Sequence, residues 1–434
     1  MDSVITKSIQ TGKILIKALI IGGLVLILMI PAVFVQNLIE ERQMRQQEAV
    51  TEVSSKWAGP QNLSGPFLIV PYKEVSINQK KETVTVERQA YFLPDKLHYQ
   101  STVQPEKRYR GIYEVMLFTS ENKMTGNFSA LPLQSLGLSN QDMLWEKAFI
   151  AMNISDSRGL KDELQLNWNG SNIVLSPGAS GEGFLKDAFI APVNLKGADS
   201  AASFQFSSTI SLNGSEDLSF TPVGKETVVD MKSEWPDPSF SGGQLPEASD
   251  VSGTGFTAKW KSLSHKRKFP QAWKHSTSFD EGQSSFGVGL FIPVTSYQKT
   301  LRSVKYAVLC ILLTFAAFFL IETVHKKAVH PFQYALIGLA LILFYTLLLS
   351  FSEYINFNAA YAIAGIATIA LIGWFVKGLL QSGKLSTLLA LILVIIYGYV
   401  FTILQLQDYA LLLGSVGLFI ALAIVMHFSR KINW

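Results

Sequence analysis

The last 129 residues, Tyr306 to Trp434, carry only nine charged side chains. Those charges divide the region into apolar runs at about 305–322, 331–351, 357–376, 385–404 and 409–427. Each run is close to the roughly 20 residues that a helix needs to cross a bilayer. Runs of that length and purity are incompatible with the surface of a soluble protein, so this region is expected to form five transmembrane helices.

A sixth span is expected at the other end. Lys17 is followed by 22 uncharged residues, Ala18 to Ile39, and preceded by Lys7 and Lys13. A cleaved signal peptide would have an apolar run of about 7–15 residues and a small-x-small cleavage site. The run here is longer and ends Pro31-Ala32-Val33-Phe34-Val35-Gln36, so an uncleaved signal anchor is expected.

Charge sets the expected orientation. Lys7, Lys13, Lys17, Lys326, Lys327, Lys377, Lys384, Arg430 and Lys431 fall on one side of the six spans. The alternate short loops carry Glu353 and Asp408 and no Lys or Arg. Under the positive-inside rule both termini are cytoplasmic and the long central segment is outside the inner membrane. The expected organisation is a cytoplasmic N-terminus (1–17), a signal anchor (18–36), a periplasmic domain (37–304), a five-helix region (305–427) and a short basic tail (428–434).

The central segment, Asn37 to Val304, has 27 basic and 29 acidic residues. At its start, residues 37–56 read as a polar extension of the first helix. From about Trp57 the pattern turns to strands: 83–86 is β-branched throughout, and 112–118, 204–206 and 227–231 read as strand material. Asn169-Gly170 and Asn213-Gly214 are hairpin-type dipeptides. The expectation is a β-rich, mainly antiparallel, sandwich-like domain, with two lobes as a variant. The apolar runs Gly65–Pro71 and Gly287–Pro293 echo each other, which would allow the first and last strands to lie side by side.

Chemistry is sparse. The single cysteine, Cys310, excludes an internal disulfide. The six histidines, at 98, 265, 275, 325, 330 and 427, lack the i, i+4 spacing of a helical zinc pair. No Gly-x-Ser-x-Gly elbow is present. Ser-x-x-Lys occurs at Ser120/Lys123 and at Ser296/Lys299, which leaves a periplasmic hydrolase as a minor alternative. Gly378 to Lys384 resembles a phosphate loop, but Leu385 replaces the required Ser or Thr and the segment joins two apolar helices. The basic run 259–274, with Trp260 and Trp273, reads as a solvated loop or a contact for anionic lipid headgroups. No cofactor and no nucleic-acid partner are expected. Glu322, Glu353 and Asp408 fall near span ends. Intramembrane acids are functional candidates, so a transporter or lipid-handling protein is the main alternative.

Several segments resemble the CreD family of inner-membrane, cell-envelope integrity proteins of Gram-negative bacteria. They include Gly59-Pro60-Gln61-Asn62-Leu63-Ser64-Gly65-Pro66, Asp156-Ser157-Arg158-Gly159, Trp235-Pro236-Asp237-Pro238-Ser239-Phe240 and Gly255-Phe256-Thr257-Ala258-Lys259-Trp260. The fullest is His330-Pro331-Phe332-Gln333-Tyr334, which continues through Gly338 and Phe344-Tyr345 to Ser352-Glu353. The resemblance implies an inner-membrane protein tied to envelope integrity and envelope stress, without catalytic residues to transfer. Its partners would be inner-membrane lipids and an envelope protein or cell-wall component.

These motifs also have structural readings. Pro331 suits a first helical turn. Trp235-Pro-Asp-Pro238 would present a rigid aromatic. Asp156–Gly159 would form a turn in which Gly159 supplies a positive φ. As a recognition surface, the candidates are Trp235, Phe240, Asp156 and Arg158.

Overall fold

A computed structural model describes residues 2–77, 83–178, 187–197, 200–274, 284–290, 296–325, 327, 329–406 and 409–429. His275, Pro293, Lys326, Asp408, Arg430 and Lys431 lie outside the described residues.

The chain forms two compact units. One comprises Met1–Gln47 and Val294–Trp434, and the other Glu48–Pro293. These limits differ from the expected boundaries at 36/37 and 304/305. The first helix, α1 (Asp2–Trp57), contributes to both units.

The helical unit continues with α2 (Ser296–Lys305), α3 (Ala307–Val324), α4 (Pro331–Ser352), α5 (Phe357–Leu380), α6 (Gly383–Gln405) and α7 (Ala410–Ser429). Among the described residues, five helices are long and apolar enough to cross a membrane: Ile16–Trp57, α3, α4, α5 and α6. The sixth, α7, spans 20 residues and holds the apolar segment Leu412–Ile424. α2 is polar on one side and buries Tyr297, Thr300, Ser303 and Val304 on the other. It packs against α4, which is why it belongs with the helices rather than with the strands.

Among the described residues the second unit holds seventeen strands. They are β1 (Gln61–Ile77), β2 (Thr83–Phe92), β3 (Lys96–Arg110), β4 (Tyr113–Phe128), β5 (Phe149–Ile154), β6 (Gln165–Trp168), β7 (Ser171–Val174), β8 (Ser176–Pro177) and β9 (Phe189–Pro192). Then follow β10 (Phe204–Ser215), β11 (Asp217–Phe220), β12 (Glu226–Ser233), β13 (Ser239–Gly242), β14 (Ala248–Ser252), β15 (Gly255–Leu263), β16 (Ala272–Lys274) and β17 (Phe286–Gly289). One sheet has the order β13-β17-β11-β1-β5-β9-β8, with β2 branching from β1 and β16 pairing with β2. The other runs β14-β15-β12-β3-β4-β10-β6-β7. Pairing is antiparallel except between β1 and β11 and between β12 and β3.

The two sheets share one apolar core. Tyr99 of β3 packs on Phe220 of β11 with ring centroids 4.8 Å apart, and its hydroxyl donates to Gly65 O of β1 at 2.9 Å. Trp260 of β15 stacks on Phe286 of β17 at 5.8 Å. The unit is therefore a single sandwich, not two lobes. Alternation drives it: β10 buries every second residue from Phe204 to Leu212 and exposes most of those between. β1 differs, being buried at every position from Leu63 to Val70. A continuous apolar run suits a strand covered on both faces.

Three expectations are corrected. Asn169-Gly170 does close the β6–β7 hairpin, with φ of 48° and 86°, but Asn213-Gly214 is no turn. Both residues lie inside β10, opposite Thr119 and Phe118. The chain turns instead at Glu216, whose φ is 65°, and Gly214 is small because the Phe118 ring and Gln61 side chain occupy the space a Cβ would need. β1 and β17 are not adjacent, because β11 lies between them. The basic run is not simply a solvated loop. Trp260 and Trp273 are core residues, and Arg267 is 7% exposed. Burial pushes its guanidinium down to about 10.

Candidate functional site

Three groups of residues carry the polar structure that an apolar core does not require. Two belong to the helical unit and one to the sandwich.

The first group gathers the start of α1, the end of α3 and the start of α4. Lys17 forms an ion pair with Glu322 and also donates to Val329 O at 2.6 Å. Glu322, 6% exposed, further accepts from Tyr334 Oη at 2.7 Å and from Val329 N at 3.1 Å. Tyr334 is fully buried, wedged between Phe315 and Phe318 with centroids 5.5 and 4.9 Å away. A carboxylate in an apolar surrounding is tolerated only when paired and hydrogen-bonded. Glu322 meets that condition with three donors from three chain segments.

The motif His330-Pro331-Phe332-Gln333-Tyr334 builds this arrangement. His330 is the N-cap of α4: its Nδ1 accepts from Phe332 N at 3.2 Å, and Gln333 Oε1 accepts from His330 N at 2.8 Å. Pro331 occupies the first turn, where no donor is lost. A reciprocal capping box of this kind satisfies orphan amides at a helix start. It also sets the phase of α4, so that Tyr334 reaches Glu322 while Phe332 stays 63% exposed.

The second group marks the other end. Glu353, the C-cap of α4, accepts from Tyr297 Oη at 3.2 Å and lies 3.7 Å from Arg42 Nε. It thereby ties α1, α2 and α4 together. Along α1, Lys17 and Arg42 are about 37 Å apart at 1.5 Å per residue, slightly more than a hydrocarbon core of about 30 Å. Both flagged acids that lie within the described residues are thus paired at helix ends. Asp408 lies outside them.

The third group fastens the last turns of α1 to the sandwich. After β5 a 3-10 turn spans Ser157–Gly159, capped by Asp156. Arg158 Nε and Nη2 donate to Asp156 Oδ1 and Oδ2 at 2.9 and 2.6 Å, while Nη1 donates to Ser55 O near the end of α1. Asp156 Oδ2 also accepts from Gly59 N at 2.9 Å. These contacts, above all that of Arg158, hold the Asp156 carboxyl down to about 2. Gln61 Nε2 donates to Asp156 O and to Asn213 O at 3.0 and 2.9 Å, and Ser215 Oγ to Ala58 O at 2.9 Å. Nearby, Arg108 lies 4.2 Å from the Trp57 ring centroid, and Arg110 pairs with Glu52 at 3.0 Å.

Gly159 is not the positive-φ residue expected. Its backbone is ordinary, and its requirement is space, since a Cβ would strike the Gln61 amide and the Asn213 carbonyl. The motif Asp156–Gly159 and the segment Gly59–Pro66 are therefore two sides of one junction. They lie about 95 residues apart in the chain, so no local pattern joins them.

Trp235 is buried and Phe240 half-buried. Trp235 is 6% exposed and its Nε1 donates to Asp237 O at 2.8 Å. Phe240 packs edge-on against Phe256 and Trp260 at 5.8 and 5.7 Å. Of the proposed surface, Arg158 alone is largely exposed.

The Ser120/Lys123 pattern comes apart. Ser120 faces the core, where it accepts from Asn122 Nδ2, whereas Lys123 points outward and pairs with Glu121. Residues of odd separation on a strand face opposite sides. At the second pattern, Lys299 Nζ sits 5.7 Å from the Phe357 ring centroid. The phosphate-loop lookalike is the α5–α6 turn, with Gln381 at φ 50°. Among the described residues no group of three His, Cys, Asp or Glu is placed to hold a metal ion.

Comparison with known proteins agrees with this anatomy. The family model described as Inner membrane protein CreD matches residues 13–434. The Inner membrane protein CreD of Escherichia coli (strain K12) is 32% identical over 417 residues, covering 95% of this chain and 92% of that protein. With its apolar helices at both ends and a β-rich unit between them, this chain belongs to the CreD family of inner membrane proteins.

Proposed function

We propose that this protein supports cell-envelope integrity during stress by binding an envelope component through its sandwich and passing the bound state to its membrane helices. In this reading both termini are cytoplasmic and the sandwich is periplasmic. The asymmetric distribution of Lys and Arg among the short loops supports that orientation. The observation that carries the functional reading is the Arg158 clamp. Arg158 and Asp156 hold the end of α1 against the sandwich, and the same helix is held by Lys17–Glu322 in the helical unit. A helix anchored in this way at both ends transmits a change at one end to the other. The protein acts in this reading as a scaffold or sensor, not as an enzyme.

The test is complementation of a strain lacking the protein under a cell-wall-active antibiotic, with topology reporters at residues 1 and 434. Wild type is expected to restore survival and both reporters to read cytoplasmic. Arg158→Ala should insert and accumulate normally yet fail to restore survival. Full protection by that variant would remove the clamp from the mechanism. An unchanged phenotype in the deletion strain would overturn the envelope role itself.

A further inference from the structure

The outward face of the eight-stranded sheet carries a polar groove to which nothing above assigns a role. It consists of two adjoining cavities, of about 510 and 680 Å³, that share Asp230 and Lys259 in their linings. The groove follows β3 from Lys96 to Thr102, a length of about 20 Å at 3.3 Å per residue. That accommodates an extended chain of roughly six residues.

The lining defines the class of ligand. Its charged lining includes the ammonium groups of Lys123 and Lys259 and the carboxylates of Glu121, Asp230 and Asp250, with the His98 imidazole beside Asp230. They interleave rather than segregate: Asp230 lies 2.7 Å from His98 Nε2 and 3.7 Å from Lys259, and Glu121 lies 3.3 Å from Lys123. Gln100, Thr125 and Thr257 supply neutral hydrogen-bonding groups between them. A uniform polyanion or polycation would meet like charges along the floor. No Phe, Tyr or Trp is among the lining residues, so the platform on which a sugar ring would stack is missing. The internal ion pairs are 38–59% exposed, and exposed pairs contribute little. A ligand bearing both charges can exchange partners with them at small cost.

We propose that this groove binds an extended, zwitterionic peptide whose amines and carboxylates alternate along its length. The proposal rests on the reading that the sandwich binds an envelope component, and names the chemistry of that component. Asp230 accepts from the ligand's ammonium group and Lys259 donates to its carboxylate. Each then gives up part of its present pairing.

The experiment uses full-length protein in mild detergent and a capped hexapeptide of alternating Lys and Glu as the probe. Capped hexalysine, hexaglutamate and an N-acetylglucosamine hexamer serve as comparators, all by thermophoresis. Saturable binding of the alternating peptide is expected, weakened about fivefold or more by Asp230→Asn and by Lys259→Gln. All three proteins should unfold at the same temperature, since both side chains are on the surface. Absence of saturable binding, equal binding by the variants, or tighter binding of any comparator would overturn the proposal. Complementation by Asp230→Asn separates the two readings. Retained protection without binding overturns the groove alone, and an unchanged deletion phenotype overturns the envelope role whatever the groove binds.

Discussion

Lys17 and Glu322 are 305 residues apart in sequence and form an ion pair within the helical unit. Glu322 is almost wholly buried, with a side-chain exposure of 7%, and Lys17 is more open at 23%. Breaking a buried pair from one side leaves an uncompensated charge and costs several kcal/mol, whereas replacing both partners by apolar groups is much closer to neutral. Lys17→Met is expected to lose about 3 kcal/mol, and Lys17→Met with Glu322→Leu to recover most of it. Tyr334→Phe should lose about 1–2 kcal/mol, the worth of one hydrogen bond to a charged group. Thermal unfolding in detergent, read as a double-mutant cycle, checks all three. Additive losses would show that the pair contributes no coupling.

At the junction of α1 with the sandwich, pH reports on Asp156. Its folded-state value, about 2, is below the ordinary 3.8. A carboxyl whose value is depressed on folding stabilises the protein fully above its unfolded value and loses that contribution as pH falls through the folded value. The stability gap between wild type and Asp156→Asn is therefore expected to be constant above about pH 5 and to close between about pH 4 and 2. Denaturant unfolding of the sandwich at a series of pH values measures it. A gap that persists at the acidic end would assign the loss to geometry and not to charge.

Gly159→Ala tests whether space or backbone freedom makes this glycine necessary. The added methyl would press on the Gln61 side chain and the Asn213 carbonyl. Overpacking of this kind costs about 1–3 kcal/mol. Gly111, at φ 63° in the β3–β4 turn with open space around it, is the comparison. Gly111→Ala should cost about 1 kcal/mol through backbone strain alone, and it should leave the junction intact. Hydrogen exchange at residues 52–61 separates them, with faster exchange expected only for Gly159→Ala.

Trp235→Ala should behave as a core substitution. Removing a buried Trp costs about 3–5 kcal/mol, against about 1 kcal/mol or less for a surface residue. Trp235→Phe, which keeps most of the buried area but loses the hydrogen bond to Asp237 O, should lose about 1–2 kcal/mol. Equilibrium unfolding distinguishes these outcomes. A Trp235→Ala protein of wild-type stability would return this residue to the list of recognition candidates.

Local signals that need no distant partner were legible in the chain. Helix placement followed from apolar runs long enough to satisfy every backbone group internally, and α3 to α7 begin and end within a few residues of the expected limits. The strands at 83–86, 112–118, 204–206 and 227–231 and the Asn169-Gly170 turn followed from residue type and turn chemistry, with Ile112 alone falling in the β3–β4 turn instead. The helix start at His330-Pro331 likewise rests on groups at most three residues apart.

What only the tertiary structure decided depends on contacts between segments far apart. Nothing near Glu322 in sequence announces that Lys17 neutralises it, because the pair exists only once α1 packs beside α3 and α4. Gly159 and Gly214 looked like turn glycines, yet each is needed because another strand or side chain occupies the place of its Cβ. Trp235 looked like a displayed anchor because a rigid Pro-flanked aromatic has the same local sequence whether it faces solvent or the core. Its burial was settled by the sandwich, where removing a large apolar surface from water outweighs every local preference.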